Sequence, residues 1–267
     1  MKKNLILCML ITAIFLWIVP LAYSEDGHQI MLKNYNLDEG RDQKADLTME
    51  LIKKNGKKRV REVTYWKLER GDEDKSLMYF RKPVSDKGTA FLTWEHKDKD
   101  DDQWLYLPAL KRIRRISAAE KHKSFMGTDF SYNDMAPPHP DEFVHRLLGE
   151  ERVDEKECYL VESIHKTYTG DAAYKNKKKY QYSQMISYIR KDNYMLIKAR
   201  FFDKKGRESK EFHAQDIKQI DGIWTSLVME MKKLKTGHRT VLTTTDIKYN
   251  TGIGDKFFSQ RELKKRR

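Results

Sequence analysis

Apolar and polar residues alternate along most of the chain after residue 40, and this period of two is typical of β-strands. The first two runs, Ala45–Ile52 and Lys58–Arg70, flank Asn55-Gly56, which is the strongest short signal for a β-hairpin. Later runs are separated by short polar turns; they read "KSLMYFRKP", "GTAFLTWEH", "QWLYLPAL", "KRIRRIS", "KECYLVESIHK", "KYQYSQMISYIRK", "YMLIKARFFDK", "ESKEFHAQDIKQI", "GIWTSLVMEMKKL" and "RTVLTTTDIKYN". The pattern predicts roughly eleven or twelve strands in an antiparallel meander.

Two segments break the alternation and predict helices. Glu25–Leu37 places apolar residues at helical spacing. His139–Glu150 has Pro140 in its first turn, acidic residues after it and Gly149 at its end, which is the pattern of a short helix. The sequence has no internal repeat and no linker rich in Pro, Gly or Ser. We therefore predict one mainly β domain with a few helices over residues 25–260.

Several predicted strands are apolar on both faces. In "KSLMYFR", Met78 and Phe80 alternate with Leu77 and Tyr79. A sheet with two apolar faces needs two covers. If a second sheet or the helices cover both faces, the apolar residues form an ordinary core. If one face instead lines a hollow, its apolar residues can bind a ligand. The alternation leaves both interpretations open, and it does not decide which set faces inward, because a shift of one residue exchanges the faces.

The first 24 residues have the pattern of a secretory signal peptide. Lys2 and Lys3 precede the apolar run Leu5–Val19, and Ala22-Tyr23-Ser24 provides the small residues of a cleavage site. The run is shorter than the ~20 residues of a membrane-spanning helix, which favours cleavage over a permanent anchor. We therefore predict that residues 1–24 are removed and that the mature protein is exported.

The chain of 267 residues carries a formal charge of +13, and loss of two lysines with the signal peptide would leave +11. A basic excess suits nucleic acid, an anionic membrane surface or solubility alone. Export argues against nucleic acid and fits proximity to acidic lipid head groups. Arg112, Arg114 and Arg115 could meet such head groups or an acidic protein, or could be solvated. Residues 261–267 have the composition of a solvated basic tail.

Few side chains match a known active-site pattern. Glu142 and His145 have the Glu-x-x-His spacing of helical di-metal centres, without the further carboxylates that such a centre needs. Asp129 and Asp134 could be paired acids, although such residues more often cap turns. Cys158 lies between apolar neighbours, which favours a core position over a nucleophile. Removal of Cys8 with the signal peptide would leave Cys158 without a partner for an intramolecular disulfide. We predict no enzymatic activity, no cofactor and no metal.

Four motifs in the middle of the chain carry a family resemblance. They are F-x-x-P-x-x-x-x-G-T-A-F-L at Phe80–Leu92, D-Q-W-L-Y-L-P-A-L at Asp102–Leu110, R-I-R-R-I at Arg112–Ile116 and F-M-G-T-D-F-S-Y-N-D at Phe125–Asp134. Together they resemble the LolA-like family of outer membrane lipoprotein-sorting proteins, and the flanking strands fit the same family more loosely.

The resemblance implies a periplasmic protein whose half-barrel antiparallel sheet curls around a hydrophobic cavity and is lidded by helices. Such proteins bind lipid acyl chains or lipoproteins, and members of this branch associate with inner-membrane transporters of the resistance-nodulation-division type. The segment from Phe125 to Met135 would then close the mouth of the cavity, with Asp129 and Asp134 capping backbone. The resemblance and the face pattern together give ten candidate lipid-binding residues: Trp66, Met78, Phe80, Phe91, Trp94, Trp104, Phe125, Met126, Phe130 and Met135.

Three functions follow as hypotheses. The first is a periplasmic carrier or chaperone that binds acyl chains, with peripheral contact to a membrane surface and no contact with nucleic acid. The second is a non-catalytic accessory subunit of an inner-membrane transporter. The third is an envelope hydrolase that uses Asp129 and Asp134.

Overall fold

The chain folds into a single antiparallel sheet. The structure is a computed structural model that describes residues 26–71, 73–96, 99–136, 139–175 and 180–265, so the predicted signal peptide lies outside it. Thirteen strands make up the sheet: β1 Asp42–Ile52, β2 Lys58–Leu68, β3 Lys75–Lys82, β4 Ala90–Trp94, β5 Asp102–Leu107, β6 Arg112–Arg115, β7 Phe143–Val153, β8 Lys156–His165, β9 Gln184–Arg190, β10 Leu196–Phe202, β11 Glu208–Ile220, β12 Ile223–Lys233 and β13 Arg239–Tyr249. The described residues also form two α-helices, α1 Gly27–Tyr35 and α2 Gln260–Leu263.

The strand order shows two meanders that meet at a central seam. The order is β6-β5-β4-β3-β2-β1-β13-β12-β11-β10-β9-β8-β7. The first meander, β1–β6, runs outward to one edge, and the second, β7–β13, returns from the other edge to the middle. The seam is the pairing of β1 with β13, from Gln43 opposite Tyr249 to Ile52 opposite Arg239. The predicted antiparallel meander is confirmed, and the strand count is slightly higher than predicted.

The additional strand is β7, which corrects the helix predicted over residues 139–150. Pro140–Glu142 form one turn of 3-10 helix, and the chain then becomes an edge strand paired with β8. Its side chains alternate between the inside and solvent, with Phe143 buried and Val144 exposed. The helix prediction was wrong because Pro140 and the two acids start only a single turn. The residues after that turn alternate with a period of two, which is the pattern of a strand.

The N-terminal helix is confirmed as α1. Asp26 caps it, since its carboxylate accepts a hydrogen bond of 2.8 Å from Gln29 N. Ile30 is fully buried in a cluster with Val161 and Ile189 of the second meander. Gly27 lies against the backbone of β7, and a Cβ placed there would come within 2.8 Å of Leu147 N. A glycine is therefore needed where the helix meets the strand.

The predicted hairpin at Asn55-Gly56 is confirmed between β1 and β2. Only Gly56 of this pair has a positive φ, at 82°, so the connection is not the type I′ turn that the pair favours. Lys53 N donates to Lys57 O at 2.9 Å and closes a five-residue connection.

The end of the chain covers one face of the first meander. Leu263 in α2 is fully buried, together with Phe258 just before it. The structure thus departs from the solvated tail predicted from residue 261, because an apolar side chain within the basic run docks on the sheet. Among the described residues, no helix has the length and apolar character needed to cross a bilayer.

Candidate functional site

The connection from β6 to β7 is the feature that organises the candidate site. These consecutive strands lie at opposite edges of the sheet, so residues 116–142 must cross it from edge to edge. We call the described part of this connection, residues 116–136 and 139–142, the crossing segment. Its middle is tied to β5, because Gln103 Nε2 donates a hydrogen bond of 2.9 Å to Tyr132 O. It is tied to the other meander through Asp129 and Asp134.

The two carboxylates bind different strands. Asp129 Oδ2 accepts hydrogen bonds from Thr240 Oγ1 of β13 at 2.8 Å and from His238 Nδ1 at 2.6 Å. Asp134 accepts a hydrogen bond of 3.0 Å from Tyr182 Oη, and its Oδ2 lies 3.3 Å from Lys210 Nζ of β11.

These contacts require a curled sheet. Seven strand spacings separate β5 from β11, which in a flat sheet would be about 34 Å. Tyr132 and Asp134 are only two residues apart, so their backbones lie within about 7 Å of each other. Both contacts can form only if β5 and β11 face each other across the inside of a curved sheet. The sheet is therefore a half-barrel, and the crossing segment lies on its concave face.

Seven of the ten predicted site residues lie together on this concave side. They share one buried cluster that joins strands to the crossing segment: Met78, Phe80, Phe91, Phe125, Met126, Phe130 and Met135. The Phe125 ring is at its centre, with ring centroids 4.9 Å from Phe91 and 6.2 Å from Phe80. The aromatic residues of the crossing segment thus occupy part of the concave face themselves.

The three predicted tryptophans lie on the opposite, convex face. Trp66, Trp94 and Trp104 belong to a separate cluster that the C-terminal segment covers. The Trp94 and Trp104 rings meet edge to face at 5.0 Å, and Trp94 Nε1 donates a hydrogen bond of 2.8 Å to Phe258 O. The second apolar face predicted from the alternation is therefore covered by the protein's own C-terminus, and these residues do not share a surface with the other seven.

The sequence reasoning missed the contribution of the second meander. Half-buried apolar side chains from β10–β13 complete the concave face: Phe201, Phe212, Met229 and Ile247. Register places Phe212 opposite Met231 and Ala214 opposite Met229, so both pairs point the same way. The alternation of side chains along β11 and β12 could have indicated these residues, but it does not show which of the two alternating sets faces inward. The position of the crossing segment shows this.

A buried ion pair positions the crossing segment at Met126. Arg61, only 3% exposed, points into the concave side, where its Nε lies 2.6 Å from Asp86 Oδ2. Its Nη1 donates a hydrogen bond of 2.8 Å to Met126 O. Met126 has a φ of 49°, in the left-handed region that a side chain disfavours. The arginine thus holds a strained turn against the sheet.

An acidic group surrounds a lysine at the other end of the first meander. Lys67 Nζ contacts the carboxylates of Glu39, Glu69 and Asp74, the last at 2.8 Å. Oxygens of these three acids lie within 4.8 Å of one another, close enough to share one cation. The Lys67 ammonium already supplies that cation. Burial raises the pKa of nearby Glu95 to about 8, and it raises that of Glu69 to about 7.

The remaining chemical candidates have structural partners. His145, from the Glu-x-x-His pair, hydrogen-bonds Ser163 Oγ at 2.8 Å and Pro140 O at 2.9 Å. Glu142 lies 3.4 Å from His165 Nε2. Cys158 is fully buried, and burial raises the pKa of its thiol, which keeps it protonated. Asp129 and Asp134 anchor the crossing segment as described.

Comparisons with known proteins agree with this architecture. A family model with the description "Uncharacterized protein" matches residues 72–265. The chain is similar to the solved structure of an outer membrane lipoprotein-sorting protein domain from Vibrio parahaemolyticus, with 32% identity and a TM-score of 0.81, over 90% of this chain and 98% of that one. It is also similar to a DUF1329 family protein from Desulfovibrio piger, with 31% identity and a TM-score of 0.81, over 89% and 97%.

A more distant similarity supports the fold alone. A LolA superfamily protein from Nitrosomonas europaea has 18% identity and a TM-score of 0.68, over 90% of this chain and all of that one. No curated protein matches the chain in sequence.

Proposed function

We propose that this chain, which belongs to the LolA-like family of outer membrane lipoprotein-sorting proteins, is a carrier that shelters acyl chains on its concave face. The cargo would be a lipid or the acylated end of a lipoprotein in the bacterial envelope. The predicted signal peptide and the family both support an envelope location, and the carrier acts by binding rather than by catalysis.

The concave face is the observation that carries this proposal. It is apolar from β5 through the seam to β10, and its half-buried residues include Met126, Met135, Met229, Phe201 and Phe212. Methionine side chains are flexible and adapt to guests of variable shape. Each methylene removed from water contributes about 0.8 kcal/mol, so even part of an acyl chain provides a large driving force.

The crossing segment supports a route for the guest. Phe125, Met126 and Phe130 sit where an acyl chain would lie, so a guest would replace their contacts with its own. The segment is held by discrete polar anchors at Arg61, Asp129 and Asp134 rather than by strand pairing along its length. Such a segment can shift while the sheet stays intact.

Uptake of a fluorescent acyl probe tests the proposal, with a matched pair of variants on β12. Met229 points to the concave face, and its neighbour Val228 points to the other face. Met229→Trp should fill the binding surface and weaken probe binding at least tenfold, whereas Val228→Trp should leave it within about twofold. Mass spectrometry of solvent extracts from the purified protein would identify the cargo. Equal probe binding by both variants, with no lipid in the extracts, would contradict the proposal.

A further inference from the structure

One end of the half-barrel is strongly basic. Five short connections lie at the same end of the strands and form what we call the basic rim: residues 53–57, 83–89, 108–111, 203–207 and 234–238. These connections hold nine lysines and arginines and two aspartates. The acidic group of Glu39, Glu69 and Asp74 lies at the opposite end of the strands, together with Glu95. The charge of the molecule is therefore separated along the strand direction.

Most of the positive charge on the basic rim is uncompensated. The aspartates are both engaged, Asp86 with Arg59 and Arg61 and Asp203 with Arg207. The eight lysines of the rim form no ion pair with any described residue: Lys53, Lys54, Lys57, Lys87, Lys111, Lys204, Lys205 and Lys235. All eight are exposed, so their charge is available to an external anionic surface.

The same rim carries most of the exposed aliphatic side chains. Val84 is 90% exposed, Leu110 63% and Leu234 39%, each at a different connection, and Val60 at the start of β2 is 41% exposed. Of the six large apolar residues exposed among the described residues, these four belong to or adjoin the basic rim; the other two, Val144 and Leu148, are on the edge strand β7.

Contacts join four of the five connections, all except residues 203–207, into one surface. A Cβ at Gly88 would lie 3.4 Å from Pro108 Cγ, so the second and third connections touch. A Cβ at Gly237 would lie 3.2 Å from Lys54 Cγ, so the first and fifth connections touch as well. The ion pair between Arg59 and Asp86, at 2.7 Å, joins the beginning of β2 to the second connection.

We infer that the basic rim is a docking surface for an anionic lipid bilayer. Aliphatic tips that project from separate turns can enter the interfacial region of a bilayer, while the surrounding lysines attract acidic head groups. The acidic group at the other end would point away from the membrane and so orient the molecule. The inference goes beyond the proposed function, since it concerns where the protein docks and not what its concave face holds.

The composition of the rim favours a membrane over an acidic protein. Protein interfaces rely on aromatic and arginine anchors in well-packed pockets. The five connections contain no Phe, Tyr or Trp and only one arginine, which already pairs with Asp203. Lysine ammonium groups act as point charges without fixed geometry, which suits a fluid array of head groups.

Co-sedimentation of the purified mature protein, residues 25–267, with lipid vesicles tests the inference. One set of vesicles contains phosphatidylcholine alone, and the other contains equal parts of phosphatidylcholine and phosphatidylglycerol. We expect binding to the second set only, weakened by salt because exposed charges are screened. Val84→Asp/Leu110→Asp should weaken binding at least tenfold. Lys53→Gln/Lys54→Gln should weaken it about fivefold per lysine.

Matched controls separate the rim from general effects. Val144→Asp/Leu148→Asp introduces the same two charges at the two exposed apolar sites of β7, and Lys218→Gln removes a lysine near the opposite end of β11. Both should bind vesicles like the unaltered protein, and thermal unfolding should confirm that all variants are folded. Met229→Trp should also keep vesicle binding, which separates this inference from acyl-chain carriage.

Any of three results would overturn the docking surface: absence of binding to the anionic vesicles, equal binding to both kinds of vesicle, or unchanged binding by both rim variants. If vesicle binding is absent, rim-dependent binding to an acidic envelope protein would identify a protein partner instead.

Discussion

Arg61 is a charged residue that is buried on the inside of the half-barrel. A buried guanidinium is tolerated only if its charge and its donors are matched, and here Asp86 and the Met126 carbonyl provide the match. Arg59 also pairs with Asp86, but from an exposed position. The buried arginine thus links the sheet, the connection after β3 and the crossing segment through one side chain.

Arg61→Met should lower the free energy of unfolding by about 3 kcal/mol, because it leaves the Met126 carbonyl without its donor and the largely buried Asp86 with only its exposed partner Arg59. Urea denaturation measures the change. Lys82→Met is the control, since the pair of Lys82 with Glu62 is exposed and should contribute less than about 1 kcal/mol. Similar losses in both variants would show that Arg61 has no special role.

Glu95 gives the fold a pH dependence. Burial raises its pKa from 4.5 to about 8, so the folded state holds this proton more tightly than the unfolded state. The stabilisation that comes from the raised pKa of Glu95 is fully present below pH 4.5 and is lost as the pH rises through about 8. Glu69, whose pKa is raised to about 7, acts in the same direction.

Glu95→Gln should therefore show a smaller decrease of Tm between pH 5 and 8 than the unaltered protein, with the remaining slope due partly to Glu69. Glu151→Gln, at an exposed position on β7, serves as the control and should keep the original slope. Parallel Tm curves for Glu95→Gln and the unaltered protein would refute the assignment.

At the scale of elements, helix α1 is positioned by a glycine. Its first residue, Gly27, contacts the backbone at Arg146 and Leu147, where a side chain has no room to move aside. Alanine is the better helix former by about 1 kcal/mol, so propensity and packing make opposite predictions for this position.

Gly27→Ala should destabilise the protein by about 1–3 kcal/mol, since the added methyl group meets strand backbone at 2.8 Å. Gln29→Ala on the exposed side of the same helix should be neutral or slightly stabilising. Chemical denaturation of both variants decides between packing and propensity. A more stable Gly27→Ala protein would mean that α1 is only loosely held.

The elements also show what sequence patterns can predict. Period-two alternation located twelve strands and the hairpin at Asn55-Gly56, because strand pairing depends on local burial patterns. β7 was missed because the capping residues at Pro140–Glu142 are genuine but serve a single turn. Alternation also could not show that Phe91 lies on the concave face and Trp104 on the convex face. That choice depends on the crossing segment and on Phe258, which meet their strands only in three dimensions.

At the scale of the whole molecule, the two meanders depend on each other. They share the β1–β13 seam, and the crossing segment contacts β5 of the first meander and both β11 and β13 of the second. Neither half can retain its concave core alone.

The whole chain should therefore unfold in one cooperative transition. In a Trp224→Phe variant of residues 25–267, which lacks Trp17, the tryptophans at 66, 94 and 104 report on the first meander, while far-ultraviolet circular dichroism reports on the entire sheet. The two signals should give the same midpoint in urea. Separate midpoints would show that the seam joins two independently stable units.

The position of the crossing segment affects how a measured affinity for an acyl chain would be interpreted. Under the proposed function, Phe125 and its neighbours lie where a hydrocarbon tail would bind, so binding would be an exchange between an intramolecular occupant and an external one. The measured dissociation constant would then reflect the difference between the contact energy of the cargo and that of the crossing segment. Substitutions that weaken the contacts of the crossing segment would therefore increase the affinity for cargo. A carrier of the proposed kind would take up and release the same molecule with little net change in free energy.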